Sequence, residues 1–369
     1  MTSPEIEPAT VDIAAAPAIA AVASALAPYR YTQREITSAF GALVTPEPRD
    51  RALLERFHEA TGVHHRNLAM PLEAYAGLEG FGAANGQFLA SAVELGGDAI
   101  ELALARCGLG AADVDLIVST TVTGVAAPSI EARLVDTLGL REDVKRIPMF
   151  GLGCVAGAAG VARIADHLVG HPDDVAVLLS VELCSLTVQR DDASMANLVA
   201  SGLFGDGAAA VVMVGQCRAA ELGLAGPSVV ASRSRFFPDT GRVMGWDIGG
   251  SGFRIVLAPT VADLVAAHLG EDMKRFLADH DLDVDDVERW VAHPGGPRVL
   301  QAVQRSLGLP DEALATTWQS LADVGNLSSA SVLHVLEQTL QTHPPGSSQP
   351  AVMLAMGPGF CAELVLLRW

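Results

Sequence analysis

The sequence predicts an α/β protein made of two copies of one unit. Three observations carry that expectation. Short continuous apolar runs alternate with segments of helical pattern, which is how strands buried on both faces of a sheet read. The 369 residues are half apolar and only 18% charged, enough for a large core and about two domains of ordinary size. The third observation is an internal echo between the two halves.

Residues 1–17 are expected to form a disordered N-terminal segment. Apolar residues run from Val11 to Ala27, but Glu5 and Glu7 stand where a signal peptide carries positive charge, and Asp12 and Pro17 interrupt the run. No signal peptide is therefore expected, and no run of about 18 apolar residues suggests a membrane span. Ile19–Leu26 predicts a first strand. Helices are predicted over Gln33–Phe40 and Arg49–Thr61, with a long one over Ala83–Cys107. Strands are predicted at Leu116–Val118, Val175–Val181, Ala208–Val214, Trp290–Ala292 and Ala351–Met356, each bounded by Gly, Pro, Asp or His. Gly215–Gly226 reads as the connection between an N-terminal half, 18–220, and a C-terminal half, 221–369.

The echo is specific. Asp113-Val114-Asp115-Leu116-Ile117-Val118 is similar to Asp286-Val287-Glu288-Arg289-Trp290-Val291, and each leads through a Pro-containing loop to a helix ending Leu138-Gly139-Leu140 or Leu307-Gly308-Leu309. Gly153-Cys154 and Gly325-Asn326 then open small-residue helices, and a late apolar strand follows each. The offset between matching pieces stays between 169 and 176 positions. Such a duplication puts Cys154 and Asn326 at equivalent places, where helix N-termini can converge on one cavity.

Charge and cysteine content narrow the function. Acidic residues outnumber basic ones 43 to 24, a net charge of −19, which argues against nucleic acid or an anionic membrane as partner. Five cysteines, Cys107, Cys154, Cys184, Cys217 and Cys361, form no C-x-x-C pair. A disulfide framework and a structural zinc site are not expected, and a reducing cytoplasm is. No His/Asp/Glu cluster stands out at ligand spacing, so no metal is expected.

Three residues suit one chemistry. Cys154 lies between glycines at a strand-to-helix turn, where the helix dipole favours a thiolate nucleophile. His293 ends a strand before Pro294-Gly295-Gly296 and points into the crevice where α/β sheets hold ligands. Asn326 can cap a helix and face the cavity at once. The thiolate can take an acyl group as a thioester. The imidazole and amide can then hydrogen-bond a thioester oxygen as it becomes an enolate, as decarboxylation of a malonyl thioester requires. Cysteine proteases use the same residue types, so the trio alone leaves both chemistries open.

Five motifs in order decide between them. Gly153-Cys154, Leu203-Phe204-Gly205-Asp206-Gly207, Ala292-His293-Pro294-Gly295-Gly296-Pro297, Gly325-Asn326-Leu327-Ser328-Ser329-Ala330 and Met356-Gly357-Pro358-Gly359 resemble those of type III polyketide synthases. Chalcone synthase is the familiar plant member, and the likeness covers residues 18–369. It implies a thiolase-like fold with a five-layer αβαβα arrangement and a homodimer. It also implies iterative condensation of malonyl-CoA onto an acyl-CoA starter, with CoA thioesters as substrates and no cofactor. By position it assigns Cys154 as the acylated nucleophile and His293 and Asn326 as the decarboxylation pair, with His293 helping to keep the thiol ionised. Phe204 resembles the gatekeeper between CoA tunnel and cavity, Gly357-Pro358-Gly359 a cavity wall, and Arg56 a contact to CoA phosphates. Thr187 and Cys184 resemble cavity-lining positions.

Two segments depart from the plant pattern and are more similar to bacterial alkylpyrone and alkylresorcinol synthases. Trp246 replaces a cavity glycine, and Thr121–Pro128 replaces a loop that delivers a methionine across the dimer. Trp246 would narrow one lobe, while Ala126, Ala127 and Ala200 would open a channel for an aliphatic chain. The expected product is a pyrone or resorcinol. A β-ketoacyl-carrier-protein synthase III, limited to one condensation, and an inactive thiolase-fold partner subunit are the competing readings.

Overall fold

The computed structural model describes residues 16–369 apart from 46, 191 and 347. Strand β1 (Ala18–Leu26) is followed by β2 (Tyr29–Thr32), α1 (Gln33–Val44), α2 (Pro48–Ala60) and β3 (His65–Leu68). The long α3 (Gly80–Arg106) leads to β4 (Leu116–Thr121), α4 (Ile130–Leu138), β5 (Lys145–Phe150) and α5 (Ala156–Gly170). Then come β6 (Val175–Leu183), α6 (Met195–Leu203), β7 (Asp206–Val214), α7 (Gln216–Leu222) and β8 (Ser228–Phe236). The chain continues with the hairpin β9 (Met244–Gly249) and β10 (Gly252–Leu257), then α8 (Val261–Ala278), β11 (Arg289–Ala292) and α9 (Pro297–Leu307). It closes with α10 (Ala315–Val324), α11 (Ser329–Thr342), β12 (Pro350–Gly357) and β13 (Cys361–Arg368).

Nine strands form one sheet in the order β11-β12-β13-β8-β1-β7-β6-β4-β5. Its two wings repeat each other. In one, β4 runs parallel to β6, β6 antiparallel to β7 and β7 antiparallel to β1. In the other, β11 runs parallel to β12, β12 antiparallel to β13 and β13 antiparallel to β8. The duplication expected from the sequence is therefore a duplication of strand order and direction. The wings join where Ala18 pairs with Ser228. Gly226 allows this seam, since a Cβ there would lie 1.8 Å from the Ile19 carbonyl oxygen.

Alternation along the strands builds five layers. On β7, Ala208, Ala210, Val212 and Val214 pack toward α3, while Ala209, Val211 and Met213 face the central helices. On β12, Ala351, Met353 and Ala355 face the same central layer, while Val352, Leu354 and Met356 pack toward α8 and α9. Helices α5 and α11 fill that centre and touch each other. Gly157 sits at their crossing, and a Cβ there would meet the Ser329 carbonyl oxygen at 2.4 Å. The result is the thiolase-like αβαβα fold.

The predicted strands and helices are all present, with ends moved by a few residues. Of the segment expected to be disordered, residues 1–15 lie outside the described residues. Ala16 and Pro17 are buried, and the Pro17 carbonyl accepts from Val229 N–H at 2.9 Å. In the main sheet β5, β8 and β13 were not predicted, and neither were the short pairs β2–β3 and β9–β10 beside it. Strand β5 is a solvent-facing edge and β8 is half-exposed, so neither shows an apolar run.

Candidate active site

Cys154 follows β5 through a turn that only glycine fits. Gly151 and Gly153 have φ of 93° and 56°, and a Cβ on Gly153 would lie 2.6 Å from the Pro358 ring. One tight turn, Gly153–Val155, then runs into α5. The sulfur sits 3.7 Å from the Ser328 hydroxyl.

Asn326 arrives from the other half. Helix α10 stops at Gly325, with φ of 73°. Asn326 N–H donates to the Leu203 carbonyl at 2.9 Å, and Gly205 N–H donates to the Asn326 carbonyl at 2.9 Å. This short bridge ties the Phe204 segment to the Asn326 loop. The Asn326 Oδ1 accepts from Ser328 N–H at 2.7 Å and from the Ser331 hydroxyl at 3.3 Å. That fixes the amide orientation and leaves the Nδ2 hydrogens for the cavity.

His293 ends β11, its backbone N–H donating to the Leu354 carbonyl at 2.8 Å. Its side chain is buried, and neither ring nitrogen has a protein partner. Cys154, His293 and Asn326 line one cavity of about 60 Å³ together with Phe204, Trp246 and Pro358. The remaining wall is largely apolar, from Leu203, Ile255, Leu257 and Val261. Behind Phe204 and Trp246 lies a second compartment of about 10 Å³ lined by Cys184, Thr187 and Ala200, room for about one water. Gly357 is walled in by the Leu152 carbonyl and Val155 N–H, and Gly359 lines an outer opening shared with Trp246 and Pro358.

Burial sets the resting charges. It pushes the Cys154 thiol up to about 12, which a hydrogen bond with Ser328 only partly offsets. It pushes the His293 imidazole down to about 3. In the resting site no hydrogen bond joins His293 to the thiol, and burial favours the neutral form of each.

Other expected positions fall outside the cavity. Arg56 is exposed on α2 and lines neither compartment. Ala127 is exposed on the loop after β4, which runs outward toward α4, so within one chain it widens no channel. Several supporting residues were not singled out by the sequence. Buried Glu182 accepts from the Val122 N–H at 3.1 Å and the Thr121 and Thr123 hydroxyls at 3.2 and 2.9 Å, and from the Ser329 hydroxyl at the start of α11. Buried Arg66 donates to the Phe204 carbonyl at 2.9 Å, holding the loop between the compartments. Among the described residues, His167, His171 and Asp174 do bring donors within 4.8 Å of one another. This corrects the expectation that no ligand cluster exists; the i, i+4 histidine spacing was visible in the sequence.

A doubled α/β scaffold that gathers a cysteine, a histidine and an asparagine from its two halves defines a thiolase-like condensing enzyme. Residues 79–217 match the N-terminal domain of chalcone and stilbene synthases, and residues 228–369 match the C-terminal domain. The chain belongs to this family of type III polyketide synthases, acyltransferases that work by decarboxylative Claisen condensation. It is 56% identical over 351 residues to a 1,3,6,8-tetrahydroxynaphthalene synthase of Streptomyces peucetius subsp. caesius, covering 95% of this chain and 93% of that one. It superimposes on the 1,3,6,8-tetrahydroxynaphthalene synthase of Streptomyces coelicolor A3(2) with a TM-score of 0.89 at 28% identity, covering 95% and 99% of the two chains. Against PKS-I of the brown alga Ectocarpus siliculosus the TM-score is 0.90 at 26% identity, covering 96% and 98%. A single-condensation synthase is not favoured by these matches. Among the described residues, no helix is long and apolar enough to cross a membrane.

Proposed function

We propose that this enzyme condenses malonyl-CoA alone into 1,3,6,8-tetrahydroxynaphthalene. The 56% identity to a synthase of that name over nearly the whole chain carries the reading. The product's ten carbons are all ring carbons, with oxygen on alternate positions. Five malonyl-CoA supply them, releasing five CO₂, five CoA and one water on cyclisation, and no alkyl tail remains.

In each cycle His293 takes the proton of the Cys154 thiol as the sulfur attacks a CoA thioester, and CoA leaves as its thiol. Malonyl-CoA then loses CO₂. The enolate that forms is held by hydrogen bonds from Asn326 Nδ2 and His293, and its carbon attacks the acyl carbonyl. The carbon–sulfur bond to Cys154 breaks, returning the chain to CoA one unit longer. Phe204 and Trp246 divide the space that receives it.

A second reading keeps an aliphatic acyl-CoA starter and a pyrone or resorcinol product. The apolar wall of Leu203, Ile255, Leu257 and Val261 supports it. The small compartment behind Ala200 weighs against a fatty chain. Incubation with ¹³C-labelled malonyl-CoA, alone and with fatty acyl-CoA, separates the two by product mass. A fully labelled C10 tetraol from malonyl-CoA alone supports the first, and labelled products retaining an alkyl chain support the second. Cys154→Ala should abolish either.

The working unit of this reading is a homodimer. Strand β5 leaves Ile147 and Phe150 exposed on a free sheet edge, a surface that monomers avoid.

A further inference from the structure

We propose that His167, His171 and Asp174 form a binding site for a divalent transition ion such as Zn²⁺, at the end of α5 opposite Cys154. His167 and His171 lie one helical turn apart at that end, with their rings stacked at 4.0 Å and 8°. Asp174 stands at the entrance to β6. His167 Nε2 and Asp174 Oδ2 are 3.2 Å apart. Two ligands held about 2.1 Å from a tetrahedral ion are separated by about 3.4 Å, so this pair is already spaced for one. All three donors lie within 4.8 Å of one another.

The tautomer also fits. His171 Nδ1 meets the His167 carbonyl oxygen at 3.0 Å. A carbonyl only accepts, so Nδ1 carries the proton and Nε2 carries the lone pair. Metal-bound histidines are commonly fixed in this way. The C-terminal end of α5 carries partial negative charge, which favours a cation. Two imidazoles and one carboxylate suit Zn²⁺, Co²⁺ or Ni²⁺ rather than Mg²⁺ or Ca²⁺. Lys145 opposes binding: its ammonium lies 3.4 Å from Asp174 Oδ2 and must yield to the ion or share the carboxylate. The ion would pin the end of α5 to the start of β6. It plays no part in the condensation, since Cys154 lies before the other end of the 15-residue α5.

The test is calorimetric titration of tag-free, EDTA-treated enzyme with ZnCl₂, repeated with CoCl₂. One equivalent should bind saturably, and Zn²⁺ should raise the thermal midpoint. His171→Gln, an exposed change, should weaken binding about tenfold or more and cancel that rise; Asp174→Asn should do the same. Cys217→Ser, which removes the exposed thiol, should leave binding unchanged. The site is rejected if the parent enzyme binds no ion, if both ligand variants bind as tightly as the parent, or if binding disappears in Cys217→Ser.

Discussion

A thiol in a dry pocket is a poor nucleophile until its proton has somewhere to go. Burial above all pushes the Cys154 thiol up to about 12 and the His293 imidazole down to about 3, which favours the uncharged form of each. One proton transfer ionises both at once, and the resulting charges attract strongly where water is excluded. Among the described residues lining the cavity, His293 is the one base placed to accept that proton. His293→Gln should therefore slow alkylation of Cys154 by iodoacetamide at pH 7 by about tenfold or more, read by mass spectrometry of the labelled peptide. An unchanged rate would remove His293 from thiol activation. Trp246 argues at the same scale, since it lines both compartments. Trp246→Ala should merge them and raise the yield from octanoyl-CoA relative to malonyl-CoA alone by about tenfold, within the range that a few apolar contacts supply; competition assays would show it. The candidate trio that shares one cavity was legible because glycines and strand ends mark Cys154, His293 and Asn326. Glu182 and Arg66 were not, because a buried ion looks like any surface charge until its partners, some more than a hundred residues away in sequence, are brought to it.

At the scale of elements, the site depends on two helices that carry its edges. α5 starts just after Cys154 and α11 just after Asn326, and they cross at Gly157. Gly157→Ala forces a methyl against the Ser329 carbonyl oxygen. It should cost about 1–3 kcal/mol, measured as a lower urea midpoint, with activity falling as the two helix starts separate. The join between α2 and α6 carries a pH dependence. His58 there bridges the Thr37 hydroxyl at 2.8 Å and the Ser201 hydroxyl at 3.1 Å, and burial lowers it from 6.5 to about 3. The unfolded chain binds that proton throughout the window between those values, so this contribution to stability is intact above about pH 6.5 and lost as pH falls. Between pH 7 and pH 5 the parent enzyme should lose about 2 kcal/mol more than His58→Gln, as urea unfolding at the two pH values would report. Equal losses would mean that His58 is not held neutral. Strands such as β6 and β7, covered on both faces, were readable as apolar runs. The edge β5 and the half-exposed β8 were not, because their residues answer to solvent or to a neighbour the sequence does not name.

For the whole molecule, the duplication leaves the two ends of the sheet unequal. One end is β11, a short strand with Trp290, Val291 and Ala292 all buried. The other is β5, where Ile147 and Phe150 are 48% and 51% exposed. Thr121 pairs with Phe150 across that edge, so the loop carrying exposed Val125 and Ala127 starts beside it. An open edge of this kind is a template for pairing, and a twofold axis lets a strand pair with its own copy. Ala127 then need not line its own chain's cavity to matter: a second chain on this edge would cover it. A molecule with a net charge of −19 resists casual association, so contact here has to rest on apolar burial. Light scattering after size exclusion should give twice the 38.3 kDa chain mass. Paired substitutions Ile147→Glu and Phe150→Glu should shift it to one chain mass, because two carboxylates on each strand would face their own copies across the axis. A parent enzyme that runs as a single chain would leave β5 a bare edge and overturn the dimer.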